Sequence, residues 1–234
     1  MGPLSLRRLA VQAVLFDLDG TLADTAPDLG AALNRMRVRR GQAPLPLALL
    51  RPVASAGARG MLAAGLGKTP ADADYDALRE EFLTEYASAL DVGTRLFDGV
   101  PELLAGLHRL GLGWGIVTNK IMRFTAPVVA ALRLSHAGVV IAGDTTAHPK
   151  PHPAPLLAAC ERLAIDPAAC VYVGDDLRDI QAARAAGMAS VAAAWGYLGD
   201  GGDVGQWGAD AVVERPDGLL EIIGRARPGR QTLA

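Results

Sequence analysis

The sequence predicts an α/β fold: a doubly wound layer around a parallel sheet, with a helical insert placed after the first strand. Three observations carry this. Short apolar runs stop abruptly at acidic, glycine or threonine residues, as buried parallel strands do where they feed a loop. The hydrophobic period switches from strand to helix and back through the second half of the chain. From Pro27 to about Arg95 the pattern differs, because apolar residues there recur at helical spacing and no convincing strand intervenes.

The first strand is Gln12 to Phe16, QAVLF, broken by DLDGT. In the insert, Leu29, Leu33 and Met36 form one helical stripe, and Leu78, Phe82, Tyr86 and Leu90 form another. Next, Leu103, Leu104, Leu107 and Leu110 share a face behind Pro101, a residue suited to a first helical turn, and Gly111 is a natural stop. Pro155 to Leu163 repeats the device with Leu156, Cys160 and Leu163. Further strands are expected at Leu112 to Thr118, Gly138 to Ile141, Cys170 to Gly174, Ala189 to Ala194 and Ala211 to Glu214. An insert directly downstream of an acidic loop is positioned to act as a lid.

The balance of 23 Lys and Arg against 25 Asp and Glu gives a net charge of −2, with 50% hydrophobic residues. This argues against a disordered tail, a polybasic nucleic-acid arm or an acidic carrier. Arg35, Arg37, Arg39 and Arg40 form a short basic run, but it lacks interleaved aromatics and reads as a solvated helix face, so no nucleic-acid partner is expected. Two cysteines, Cys160 and Cys170, cannot make a disulfide scaffold and read as small buried residues of a reducing compartment. The first apolar run is interrupted at Asp17 and Asp19, too early for a membrane span or a secretory core. A soluble cytoplasmic protein with no membrane partner is expected, and its oligomeric state is open. The chain is expected to end in frayed residues from about Ala226.

The chemistry concentrates at strand ends. Asp17-Leu18-Asp19-Gly20-Thr21 follows the first strand, and Gly174-Asp175-Asp176-Leu177-Arg178-Asp179 follows a later one. Parallel strands deliver their carboxyl ends to one edge, so the two acidic clusters can converge. Convergent carboxylates need a cation or raised pKa values, and hard oxygen ligands suit Mg²⁺. Two other strand ends offer Thr118 and Asn119, and Lys150: a hydroxyl, an amide and an ammonium fit for phosphoryl oxygens. His148 and His152 flank Lys150, but Pro149, Pro151 and Pro153 forbid the regular helix that would make them a metal pair.

The stretches VLFDLDGTLADTAPD, IVTNK, KPHPAPL and VYVGDDLRDIQAARAAGM, in that order, resemble the motifs of the haloacid dehalogenase-like phosphatases. The resemblance is greatest to the phosphoglycolate phosphatase subgroup, and within it to bacterial N-acetylmuramic acid 6-phosphate phosphatases. It implies a Rossmannoid parallel-sheet core at residues 11–26 and 96–225, with a small helical cap at residues 27–95. It also implies Asp17 as the nucleophile that forms an aspartyl-phosphate and Asp19 as the general acid, then base. Asp17 and Asp175 would hold Mg²⁺ by their carboxylates, Asp19 by its backbone carbonyl, and Asp179 through bound water. Asp176 stands where related enzymes often have serine, and a metal role for it is left open. Thr118 and Lys150 would bind the phosphoryl group, with Asn119 behind them.

The substrate implied is a small phosphomonoester, either 2-phosphoglycolate or a sugar phosphate such as N-acetylmuramic acid 6-phosphate. Arg59, within Gly57-Ala58-Arg59-Gly60, either meets a substrate anion or is a solvent arginine at a cap turn. Arg123 and Phe124 are expected to line the cleft between cap and core, while Trp195 and Tyr197 either touch a sugar or pack the core edge. A sugar phosphomutase shares the first half reaction and is an alternative. So, from another class, is a phosphoacceptor module, although Asp19 as a second acid and the helical insert speak for turnover.

Overall fold

The structure, a computed structural model, describes residues 10–199 and 201–226. Along β1 (Ala13–Phe16) successive side chains point to opposite faces, Val14 and Phe16 into one apolar layer and Ala13 and Leu15 into the other. This explains why the strand is apolar throughout: both faces are covered. The same division runs through β4 (Gly113–Val117) and β6 (Cys170–Gly174), which flank β1 in parallel. With β5 (Val140–Ile141), β7 (Ala189–Ala193) and β8 (Ala211–Val213) they form a parallel sheet in the order β5-β4-β1-β6-β7-β8.

Helices cover both faces. The layer holding Val14 and Phe16 is closed by α5 (Val100–Arg109), α6 (Met122–Ala131) and α9 (Gly218–Ala226), through Leu103, Leu107, Val128, Leu219 and Ile223. The opposite layer is closed by α7 (Ala154–Leu163) and α8 (Leu177–Ala185). Cys160 and Cys170 lie in that second layer as free, buried thiols with their sulfurs 3.5 Å apart. The expected strand at 138–141 begins only at Val140, although the Gly138 N–H already bonds the Trp114 carbonyl.

The helical insert has its own core. It comprises α1 (Ala26–Arg39), α2 (Leu47–Leu50), a 3₁₀ turn (Arg51–Ala56), α3 (Gly57–Leu66) and α4 (Tyr75–Ala87). Leu29, Leu33 and Met36 of α1 meet Met61 and Leu62 of α3 and Leu78, Phe82 and Tyr86 of α4. One further element has no signal in the sequence. Where the chain leaves and re-enters the core, β2 (Ala23–Asp24) and β3 (Arg95–Leu96) pair antiparallel as a separate two-stranded ribbon. Strands of two residues have no period to read.

The junction is tied by polar contacts. Asp28, buried in α1, accepts the N–H groups of Gly93 and Thr94 at 2.8 Å each. Asp24 accepts from Arg51 at 2.8 Å and from the Tyr197 hydroxyl at 2.9 Å. That hydroxyl in turn accepts the backbone N–H groups of Thr25 and Ala26, capping the start of α1 from the core.

The basic run on α1 is answered within the insert. Arg35 and Arg39 pair with Glu85, Arg40 pairs with Glu81, and Arg37 donates to the Ala43 and Gly65 carbonyls. Among the described residues no helix is long and apolar enough to cross a membrane. The fraying expected from about Ala226 concerns residues 227–234, which lie outside those described.

The insert depends on close packing of α1 against α3, where a Cβ added to Gly65 would fall 2.3 Å from Leu33 Cδ2. Leu33 is fully buried there. Leu33→Ala is therefore expected to cost about 2–5 kcal/mol, a cavity loss read by urea unfolding followed by circular dichroism. A loss below about 1 kcal/mol would mean that the insert core repacks freely.

Candidate active site

The carboxyl ends of β1, β4 and β6 lie side by side, and their loops form one site. Asp17 leaves β1 directly, with its Oδ1 accepting the Leu18 N–H at 2.7 Å. Asp175 leaves β6, and Asp179 projects from the first turn of α8. One carboxylate oxygen from each of Asp17, Asp175 and Asp179 lies within 4.8 Å of the others, and all three residues are buried.

The backbone is shaped around this cluster. Gly20 has φ +85°, and a Cβ there would lie 2.1 Å from Asp175 Oδ2. A Cβ on Gly196 would lie 2.2 Å from Asp175 Cβ. In the space so left, Asp175 accepts from Thr21 Oγ1 at 2.9 Å, the Tyr197 N–H at 2.9 Å and Ser55 Oγ at 3.2 Å. Ser55 belongs to the insert, and its carbonyl also receives Arg178 from α8, so insert and core meet at the acidic cluster.

Lys150 is the cation of the cluster. Its buried Nζ lies 2.7 Å from Asp179, 3.0 Å from Asp17, 2.8 Å from the Tyr172 hydroxyl and 3.0 Å from the Val117 carbonyl. Asn119 grips the Lys150 backbone at both ends of its amide, donating to the Lys150 carbonyl and accepting its N–H, each at 2.9 Å. Its amide is thereby engaged with Lys150, while the residue also lines the cavity. Thr118 is buried beside them, and its Oγ1 accepts the Lys120 N–H at 3.2 Å, which leaves its proton to donate.

Asp19 faces the same cavity. Its carboxylate accepts from Thr25 Oγ1 at 2.5 Å and from Lys120 Nζ at 3.0 and 3.2 Å. Burial pulls the Lys120 pKa down, but the Asp19 carboxylate outweighs it and the net shift is upward. Lys120, the last residue of IVTNK, is thus a further cation of this cavity, one to which the motif resemblance assigns no role. Its signal was its place two residues after Thr118.

The cavity, of about 280 Å³, is walled by core and insert together. The insert contributes Arg59, Arg79, Tyr75, Tyr86 and the apolar Leu29, Phe82 and Leu83; the core adds Ile121 and Phe124. Arg59 thus lies on the cavity wall at the start of α3, whereas Arg123 is not among the lining residues. The Arg123 guanidinium lies 5.2 Å from the Phe124 ring centre instead. Tyr197 is turned to the ribbon and α1, and Trp195 donates to the Thr21 carbonyl at 3.0 Å. Asp176 stands apart from the acidic cluster. It caps α8 by accepting the Arg178 N–H and pairs with the Arg178 guanidinium at 2.7 Å. Burial would raise its pKa, but Arg178 outweighs burial and holds it low. His148 and His152 place their rings 4.6 Å apart, and His152 Nδ1 accepts the Ala154 N–H.

Three buried carboxylates stand against one lysine, which pairs with Asp17 and Asp179 but not with Asp175, so negative charge is in excess. Burial, then Asp17 and Asp179, push Asp175 well above the usual carboxylate range. Burial also raises Asp179, to about 6, although Lys150 opposes it. This donor set of hard oxygens with unmet charge fits a divalent cation.

Without a cation, both raised carboxyls hold protons in the folded protein at pH values where the unfolded chain, at an ordinary 3.8, has lost them. Stability from these groups is present below about pH 4 and falls as pH rises through 6 and beyond. In EDTA, Tm is expected to fall between pH 5 and pH 8, and Mg²⁺ to raise it more at pH 8. Thermal melts at both pH values check this, and a Mg²⁺ effect equal at both would contradict it.

The comparisons with known proteins agree with this geometry. The haloacid dehalogenase-like hydrolase family matches residues 11–187. The chain is 42% identical over 222 residues to an N-acetylmuramic acid 6-phosphate phosphatase of Pseudomonas aeruginosa, covering 94% of this chain and 98% of that one. It is 50% identical over 219 residues to a phosphoglycolate phosphatase of Xanthomonas campestris pv. campestris, covering 93% and 98%. A crystal structure of a predicted phosphoglycolate phosphatase from Haemophilus somnus 129pt superimposes with a TM-score of 0.78 at 25% identity, over 91% of this chain and 98% of that one. With the family matching most of its length and its acidic cluster at the ends of β1 and β6, the chain belongs to the haloacid dehalogenase-like hydrolases, as a phosphatase.

Proposed function

We propose that the protein is a Mg²⁺-dependent phosphomonoesterase that works through an aspartyl-phosphate on Asp17. The observation that carries this is the placing of Asp17 against Lys150, Asp175 and Asp179, with Asp19 over the same cavity. In the first displacement an Asp17 carboxylate oxygen bonds to phosphorus as the ester P–O bond breaks, and Asp19 gives its proton to the leaving oxygen. In the second, water bonds to phosphorus, the aspartyl P–O bond breaks and Asp19 takes the proton of the water. The Thr118 hydroxyl and Lys150 ammonium meet the nonbridging oxygens, while Asn119 fixes where Lys150 stands. Asp17, Asp175 and Asp179 would hold Mg²⁺, with Asp19 adding its carbonyl. Bound there, Mg²⁺ supplies charge neutralisation between nucleophile and phosphoryl group.

The cap is residues 27–95, closing over a core of 11–26 and 96–225, and its wall chooses the substrate. Leu29, Phe82, Leu83, Ile121 and Phe124 offer an apolar wall that a two-carbon acid would leave unfilled, and Arg59 and Arg79 stand on it. This supports a carboxylated sugar phosphate, with N-acetylmuramic acid 6-phosphate first. The 50% identity to the Xanthomonas campestris enzyme favours 2-phosphoglycolate as the second reading. A cytoplasmic location accords with either.

Phosphate release is expected from wild type in Mg²⁺ and to be lost in EDTA. Asp17→Asn is expected to fall to background, and Asp19→Asn to lose about 10²–10⁴-fold in kcat. Assayed side by side, N-acetylmuramic acid 6-phosphate, 2-phosphoglycolate and glucose 6-phosphate should rank in that order by kcat/KM. A higher value for 2-phosphoglycolate would select the second reading, and no release from any of them would refute the phosphatase.

A further inference from the structure

Tyr86 lies on the inner stripe of α4 with Leu78 and Phe82, and its position there is explained by packing alone. Its ring is 1% exposed, tilts against Phe124 at a centroid distance of 5.4 Å, and has the Lys120 ammonium 4.8 Å from its centre. A phenylalanine would keep the packing, although the phenol also adds to the electrostatics that hold Lys120 charged, without reaching it in hydrogen-bond geometry. The hydroxyl is not explained by them. It is the single buried side-chain N or O atom without a hydrogen-bond partner among the described residues. Buried hydroxyls are costly when unpaired, and one that persists calls for a partner supplied from outside.

The surroundings say what that partner is. Tyr86 lines the same cavity as Asp17, Asp19, Thr118 and Lys150. Lys120, over its ring, is bonded to the Asp19 carboxylate at 3.0 Å, so one side chain separates Tyr86 from the group that serves the leaving oxygen. Burial raises the phenol pKa, and the group stays protonated, a donor. Next to an ammonium, a donor selects an acceptor oxygen, best an anionic one. The leaving oxygen itself belongs to Asp19, which places the acceptor a few bonds further along the substrate.

We infer that the Tyr86 hydroxyl is a specificity-determining donor that, with Lys120, recognises an acceptor oxygen about three bonds from the ester oxygen of the substrate. This rests on the phosphatase reading above. Both candidate substrates meet the requirement: in 2-phosphoglycolate the oxygen is the carboxylate, and in a hexose 6-phosphate it is the ring oxygen. The carboxylate gains more, being charged. The carboxylate of the sugar acid lies many more bonds from the ester oxygen, beyond this reach.

Tyr86→Phe tests this, because it removes one oxygen and keeps the ring. For each of 2-phosphoglycolate and N-acetylmuramic acid 6-phosphate, kcat/KM is divided by that for p-nitrophenyl phosphate and for propyl phosphate, which carry carbon at the recognised position. For 2-phosphoglycolate the ratio is expected to fall about tenfold or more, the size of a hydrogen bond to a charged acceptor, and for the sugar phosphate by less. The Tm of the variant is expected to be equal to that of wild type or higher, since an unpaired buried hydroxyl has been removed. Ratios unchanged within about twofold, or a parallel loss on all substrates with a lowered Tm, would make the hydroxyl structural and overturn the inference. If wild type releases phosphate from none of the four esters, the phosphatase reading itself has failed and this inference falls with it.

Discussion

Three carboxylates and one ammonium, all withdrawn from water at the end of a parallel sheet, set the terms for the rest of the molecule. Asp17, Asp175 and Asp179 together outnumber Lys150, and burial makes that imbalance costly. The surrounding structure is organised to contain it. Thr21, Ser55 and the Tyr197 backbone donate to Asp175, Asp179 receives both Lys150 and the Asp176 N–H, and Gly20 and Gly196 leave room for the charge. Parallel pairing of β1 with β4 and β6 is what brings residues 158 or more positions apart in sequence into one cluster, as with Asp17 and Asp175. That excess of negative charge is what fits the cluster to a divalent cation.

The helical insert is joined to this cluster by more than proximity. Ser55 touches Asp175, Arg178 reaches back to the Ser55 carbonyl, and Phe124 and Tyr197 of the core are members of the insert's own apolar cluster. Helix α4 therefore serves two purposes with one stripe. Leu78 and Phe82 hold the insert together, and Phe82 and Tyr86 also form the cavity wall.

Much of the core was legible because its signals are local. An apolar run that stops at Asp17 or Gly174 announces both a strand and the loop after it, and the expected strand 170–174 is the observed one. Glycine and acid placed together also marked the acidic cluster. Other features were illegible for definite reasons. The β2 and β3 ribbon has two residues per strand, too few for alternation. Asp176 and Asp179 are both acids near a helix start, and only the backbone assigns one to the cap of α8 and the other to the cluster as well. Asn119 was placed among the phosphate residues, behind Thr118 and Lys150, but nothing local shows that its amide meets the Lys150 backbone 31 positions away. Tyr86 has the same apolar spacing as any core aromatic, and its unpaired hydroxyl is visible only in three dimensions.

Tyr197 has a consequence for how such inserts are exchanged in evolution or by engineering. Through its N–H it holds Asp175, and through its hydroxyl it holds Asp24 and the first turn of α1. A residue far along the chain, in the loop after β7, is thus the socket into which the insert is plugged. Grafting a foreign insert between residues 24 and 95 without a matching socket would leave the helix start uncapped and loosen a carboxylate of the cluster. The insert and the 195–197 loop are thus one mechanical unit, although residues 96–194 of the core chain lie between them.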